Sequence, residues 1–160
     1  VVKLDATTAA FAVSLFAVFN GLGRPLFGIV ADKFGPKLSA MISFALILGA
    51  SLLLSKLEEG NTSLYLIAFC TLWLCLGGWL ALAPTSTGIF FGKHYYAQNY
   101  GIVYTAYGVG AILGTLISGN IKDITGSSLG AFPIVAGFAV LGLLIAAAGL
   151  NTFKVNHLLK

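Results

Sequence analysis

The chain has 160 residues, 58% of them hydrophobic and 9% charged, with a mean hydropathy of +0.96. Soluble domains carry about 25% charged residues, so too few polar side chains exist here to cover a globule in water. The net charge of +4 comes without a lysine-rich cluster, which excludes a nucleic-acid surface and leaves charge as a matter of membrane topology.

Val1 stands where a Met would, and no signal-peptide pattern follows it, so the expectation is a chain whose beginning is missing. A bilayer core takes about 20 apolar residues per helix. Five segments meet that requirement in chain order: 6–31, 38–55, 63–90, 97–121 and 129–150. The predicted fold class is an all-α polytopic membrane protein with five transmembrane helices. Gly35 and Pro36 punctuate the first link, and Leu57–Asn61 and Lys122–Gly126 are turn-like. Pro133 falls in the first turns of the last helix, where proline is tolerated best. Lys33, Lys37, Lys93, Lys154 and Lys160 share one side of the membrane. Lys3, Lys56 and Lys122, balanced by Asp5, Glu58, Glu59 and Asp123, share the other. The excess of positive charge predicts a cytoplasmic Asp32–Lys37 turn and a cytoplasmic C-terminus.

Arg24 is the first candidate for function. It is the only charge between Ala6 and Ala31, and an arginine in hydrocarbon is unfavourable by a few kcal/mol on insertion scales. Such a residue faces a bundle interior or a water-filled path, where it meets an anion or an acidic side chain. It lies eight residues before Asp32, about 12 Å along a helix and near the midplane where transporter substrates bind. Asn20 and Gly28 share its face at i−4 and i+4. The spans offer no clear internal Asp or Glu, so Arg24 either binds an anionic substrate or pairs with a carboxylate outside this chain.

Cys70 and Cys75 lie five residues apart in one span and point different ways, which reads as buried thiols rather than a disulfide or a metal site. Gly77-Gly78-Trp79 places Trp79 mid-span, either on a cavity wall or packed. Pro84 with Thr85 and Thr87 predicts a kink whose freed carbonyl the threonines help satisfy. Asn61-Thr62-Ser63 matches a short glycosylation sequon. Tyr96, Tyr100, Tyr104 and Tyr107 fall on one helical face. The first two read as interfacial anchors; Tyr104 and Tyr107 are deeper and either line a cavity or pack. Gly110 and Gly114 form a G-x-x-x-G pair suited to close helix packing. No nucleophile–base or metal-ligand set lies in the spans, so no enzyme, metal or cofactor is expected.

Gly28-Ile29-Val30-Ala31-Asp32-Lys33-Phe34-Gly35-Pro36-Lys37 resembles the G-x-x-x-D-R/K-x-G-R/K-R/K signature of major facilitator superfamily transporters, with Pro36 in place of the usual basic residue. Asn20-Gly21-Leu22-Gly23-Arg24-Pro25 and Tyr100–Gly108 resemble helices 8 and 11 of the oxalate:formate antiporter family. The resemblance covers essentially the whole chain. It implies that residues 1–160 are helices 8 to 12, part of a six-helix C-terminal half, with the N-terminal half of a twelve-helix transporter as the absent partner. It also implies a cytoplasmic gate at Gly28, Asp32, Lys33, Gly35 and Lys37, a cell membrane location and a small organic anion as substrate.

In that family an arginine on helix 8 and a lysine on helix 11 are the cations for a dicarboxylate. The arginine carries over to Arg24, whereas the lysine position holds Tyr107. One cation and a phenol suit a monocarboxylate such as formate, lactate or pyruvate, because a second negative charge would be poorly compensated. Related monocarboxylate carriers place an Asp four residues before the arginine, where this chain has Asn20. Proton symport and anion antiport therefore both stay open. The expected substrate site is Arg24, Tyr107, Tyr104, Asn20 and Trp79. The alternatives are an exporter of hydrophobic or cationic compounds and a non-transporting membrane scaffold or sensor.

Overall fold

The computed structural model describes residues 5–57 and 61–149. Val1, Lys3, Glu58, Glu59, Leu150, Lys154 and Lys160, used above for the termini and the orientation, lie outside them. The described residues are helical: α1 (Ala6–Ser55), α2 (Thr62–Phe91), α3 (Tyr96–Thr125), a 3-10 turn (Ser128–Ala131) and α4 (Phe132–Gly149).

Among the described residues four helices are long and apolar enough to cross a membrane, where five were predicted. The first two predicted spans lie in α1, which has 50 residues. A straight helix of that length would run about 75 Å, over twice the ~30 Å hydrocarbon core. The element instead breaks at Gly35, whose φ of 85° and ψ of 162° are not helical. That region is open only to glycine, and Pro36 then starts the next helical turn with its φ already set. A single residue makes the turn, which is why α1 has no intervening loop. The Ser39 hydroxyl donates to the Phe27 carbonyl at 3.3 Å. Twelve residues along a straight helix would hold those groups about 18 Å apart, so the two arms, 6–34 and 36–55, fold back on each other.

α2 lies along both arms. It runs parallel to the first, with Phe16 stacked on Trp73, Asn20 on Gly77 and Phe27 on Gly78. It runs antiparallel to the second, where the Cys75 thiol meets the Ser43 carbonyl at 3.8 Å and Leu54 packs with Ala68. α4 lies antiparallel along the second arm, with Gly142 under the Phe44 ring. Small residues dominate the buried positions, among them Ala12, Ala31, Ala40, Ala50, Ala68 and Ala146. In lipid there is no water to drive helices together, so close backbone approach and dispersion must do it. Both cysteines are buried and free, as expected.

α3 stands apart. None of its residues is buried, and it touches α2, the 3-10 turn and neither arm of α1. Pro84 does not break α2, which continues to Phe91. The Thr87 hydroxyl donates to the Ala83 carbonyl at 2.8 Å, three positions from the Leu80 carbonyl that Pro84 leaves without its amide donor. Asn61 of the sequon is the N-cap of α2, its side-chain oxygen accepting from the Leu64 amide at 3.1 Å.

Candidate functional site

The signature turn sits at the tip of the α1 hairpin. Asp32 and Lys33 are exposed there and make no ion pair among the described residues. Lys37 behaves differently. Its ammonium donates to the Ala147 carbonyl of α4 at 2.7 Å. The last carbonyls of a helix have no intrahelical partner and carry the negative end of its dipole. A cation there ties α4 to the turn, so the second lysine of the signature is a fastening for α4. Gly28 faces open space.

Arg24 follows Gly23, which is pressed against the backbone of α2: a Cβ on Gly23 would stand 2.8 Å from the Gly78 nitrogen. The one-residue step turns Arg24 about 100° away from that seam, and it is exposed. It makes no ion pair among the described residues. Its predicted neighbour Asn20 is not aimed the same way. The Asn20 amide donates to the Trp73 carbonyl at 3.4 Å, which spends it on holding α2.

Tyr96, Tyr100, Tyr104 and Tyr107 form one ladder, with successive ring centroids 5.7, 5.7 and 5.5 Å apart. Tyr104 and Tyr107 are about half exposed, at 47% and 50%. Because α1 and α3 do not touch, the structure does not bring Arg24 and the tyrosines together. It does set them at one depth: Arg24 is eleven residues from the Gly35 break and Tyr107 eleven from the start of α3, each about 16 Å from the same end of the bundle. Trp79 points elsewhere, with its ring 5.3 Å from Phe44 on the second arm. It lines a cavity of about 240 Å³ with Pro36, Leu82, Ser86, Phe90 and Val103. Gly110 and Gly114 have nothing within 4 Å of where a Cβ would stand. They line a groove of about 800 Å³ between α3 and the starts of α2 and α4.

Three glycines outside the predicted site residues position this region. Gly23, Gly77 and Gly78 let the first arm and α2 meet backbone to backbone. The adjacent pair Gly77-Gly78 inside an apolar run was the available signal, since two glycines weaken a helix unless something must come close. Ser43 and Ser51 are buried with hydroxyls that have no hydrogen-bond partner among the described residues.

Residues 2–156 match the Major Facilitator Superfamily. The chain belongs to that superfamily. It is therefore a multi-pass membrane protein of a transporter family rather than an enzyme. Similar proteins include an uncharacterized MFS-type transporter, YhjX, of Escherichia coli, 32% identical over 68% of this chain and 27% of that protein. The oxalate:formate antiporter of Oxalobacter formigenes is 30% identical over 97% of this chain and 38% of its own length. A probable nitrate transporter, NarT, of Staphylococcus haemolyticus is 28% identical over 88% and 36%. The chain thus spans about a third of the length of these curated relatives. No solved structure matches it. The Asp32–Lys37 turn is the segment that resembles the superfamily signature, and its geometry explains the unusual Pro36: the residue opens a helix, where proline fits better than a basic residue.

Proposed function

We propose that this chain is most of the C-terminal half of a twelve-helix transporter for small organic anions, with monocarboxylates of the formate, lactate or pyruvate type as substrates. The observation that carries the reading is Arg24, a permanent cation deep in a membrane-spanning arm without an acidic partner among the described residues. Leaving such a charge unpaired in a low-dielectric site is unfavourable, and an anionic substrate relieves it. The relatives named for a substrate share one chemistry, since oxalate, formate and nitrate are small planar anions. Arg24 binds the carboxylate in this reading. Tyr107 and Tyr104 meet the same substrate from α3 of the same half, at the depth of Arg24, and Trp79 and Asn20 support α2 beside it. A guanidinium offers two parallel donors to one carboxylate, which suits a monoanion.

Asp32, Lys33, Gly35 and Lys37 belong to the cytoplasmic gate, in a cell membrane with the C-terminus inside. Alternating access follows from rocking the two halves about the site. Either antiport against a second anion or proton symport completes the cycle.

The test is uptake of labelled formate, lactate and oxalate into proteoliposomes that hold the full-length transporter, as wild type, Arg24→Gln and Tyr107→Lys. Monocarboxylate uptake that Arg24→Gln abolishes, with oxalate uptake gained by Tyr107→Lys, is the expected pattern. Wild-type uptake that survives Arg24→Gln refutes the assignment of Arg24.

A further inference from the structure

The tyrosine ladder runs too deep to be an interfacial belt. Tyrosine anchors sit at the headgroup level, yet Tyr107 lies eleven residues, about 16 Å, beyond Tyr96. That is about half of the ~30 Å core. None of the four phenol hydroxyls has a hydrogen-bond partner among the described residues. In hydrocarbon every polar group must be satisfied from within the protein or by water. A lipid-facing stripe would leave these hydroxyls with nothing. The rest of α3 offers such a stripe already, in the exposed and wholly apolar Ile102, Val109, Ile112, Leu113 and Leu116. The two kinds of face divide the helix, and the tyrosine face is the one that needs water or a polar ligand.

The foot of the ladder is fixed. The Tyr96 ring lies 3.8 Å from where a Cβ on Gly88 would stand, so it rests on the end of α2. Lys93 and His94 are exposed one turn before it, and the His94 and Tyr95 rings meet edge to face at 4.4 Å. A cation therefore stands at the mouth, and neutral donors follow at intervals of one helical turn. The top rung is at the depth of Arg24.

We propose that Tyr96, Tyr100, Tyr104 and Tyr107 form the hydroxyl-bearing wall of a water-filled approach that conducts a small monovalent anion from the Lys93 end of α3 to the depth of Arg24. The proposal rests on the anion-transport reading above and assigns the lower two rungs a role that anchoring alone does not. Phenols donate to an anion without holding it by charge. A path must bind well enough to admit an ion and weakly enough to release it, and uncharged donors satisfy both conditions. A dianion keeps a hydration shell that a row of single phenols does not replace, so the ladder favours monoanions before they reach Arg24.

The experiment places single cysteines at 100, 104, 102 and 109 in the full-length transporter in proteoliposomes. Each is reacted with an anionic sulfonatoethyl and a cationic trimethylammonium methanethiosulfonate. Cys70 and Cys75 are buried and serve as the low-reactivity background. Thiols react as thiolates, which form where water reaches. Tyr100→Cys and Tyr104→Cys are expected to react about ten-fold faster than Ile102→Cys and Val109→Cys, and faster with the anionic reagent. Equal rates at all four positions, or a preference for the cationic reagent, overturn the proposal. Tyr100→Phe keeps the ring and removes the hydroxyl. It is expected to slow formate uptake about ten-fold, and unchanged uptake overturns the role of the hydroxyl. The two readings separate cleanly. The expected labelling without carboxylate uptake supports the anion-selective wall and sinks the carboxylate substrate. Carboxylate uptake with uniform labelling sinks the ladder and leaves the Arg24 site standing.

Discussion

Replacing Gly77 by alanine tests how α1 and α2 hold together. The added methyl would stand on the Asn20 carbonyl oxygen, 2.8 Å from the carbonyl carbon and 3.1 Å from the Asn20 Cα. All three atoms are backbone, so no rotamer change makes room. Ordinary contact begins near 3.4 Å, and the first arm must therefore shift by about 0.6 Å or more at the carbonyl carbon alone. That shift opens the seam that also holds Phe16 against Trp73 and Phe27 against Gly78. Overpacking of this kind is unfavourable by about 1–3 kcal/mol, and the backbone clash places it at the upper end. Alanine returns about 0.5–1 kcal/mol through helix propensity. The net expectation is about 2 kcal/mol, roughly a 30-fold loss in the folding equilibrium. The assay is reversible unfolding in mixed micelles on titration with SDS, followed by the fluorescence of Trp73, which stacks on Phe16 across the seam, and of Trp79, which packs on Phe44. Gly21→Ala is the control, because nothing lies within 4 Å of its Cβ position; it should stabilise by the propensity term alone. Gly78→Ala should fall between, since it meets the Phe27 ring rather than backbone. Equal stability of Gly77→Ala and Gly21→Ala would refute a backbone-to-backbone seam.

Lys37→Met removes the cation from the last turn of α4 and should weaken its docking by about 1–2 kcal/mol, read as faster amide exchange over residues 143–149 with little change in α2. Gly35→Ala forces a Cβ into a positive-φ conformation and should destabilise the hairpin by about 1–3 kcal/mol in the same SDS titration. Unchanged stability would mean the turn is made some other way. Asp5 caps α1, and donation from the Thr8 hydroxyl and amide holds its carboxyl below the ordinary aspartate value. A lowered pKa means the cap helps above the unfolded-state value and fades as the pH falls through the lower folded one. Amide exchange at Thr8 should therefore quicken only in strong acid, and Asp5→Asn should remove that pH dependence.

The membrane class and the apolar spans were legible in the residues, and Arg24 stood out among them, because hydrocarbon imposes simple rules. A long run without charge has one plausible solvent, and one charge inside it needs a reason. The tyrosine ladder was legible too, since a spacing of three and four residues makes one face of any helix, and its rings do stack. The resemblance to the superfamily was legible in Gly28–Lys37, together with Asn20–Pro25 and Tyr100–Gly108.

Only the tertiary structure decided the rest. Two predicted spans follow each other without a loop because a single glycine at φ 85° reverses the chain between them, and backbone dihedrals are not written in hydropathy. Asn20 was matched to Arg24 by helical spacing, but its amide is taken by the Trp73 carbonyl, a residue 53 positions away. Trp79 reads as either a cavity wall or a packed ring, and the structure makes it both, with its ring on Phe44 and beside a small cavity. Lys37 read as part of a surface signature and is spent on the end of α4. Periodicity along one helix says which residues share a face. Which neighbour that face meets depends on how close two backbones come, and here Gly23, Gly77 and Gly78 set that distance.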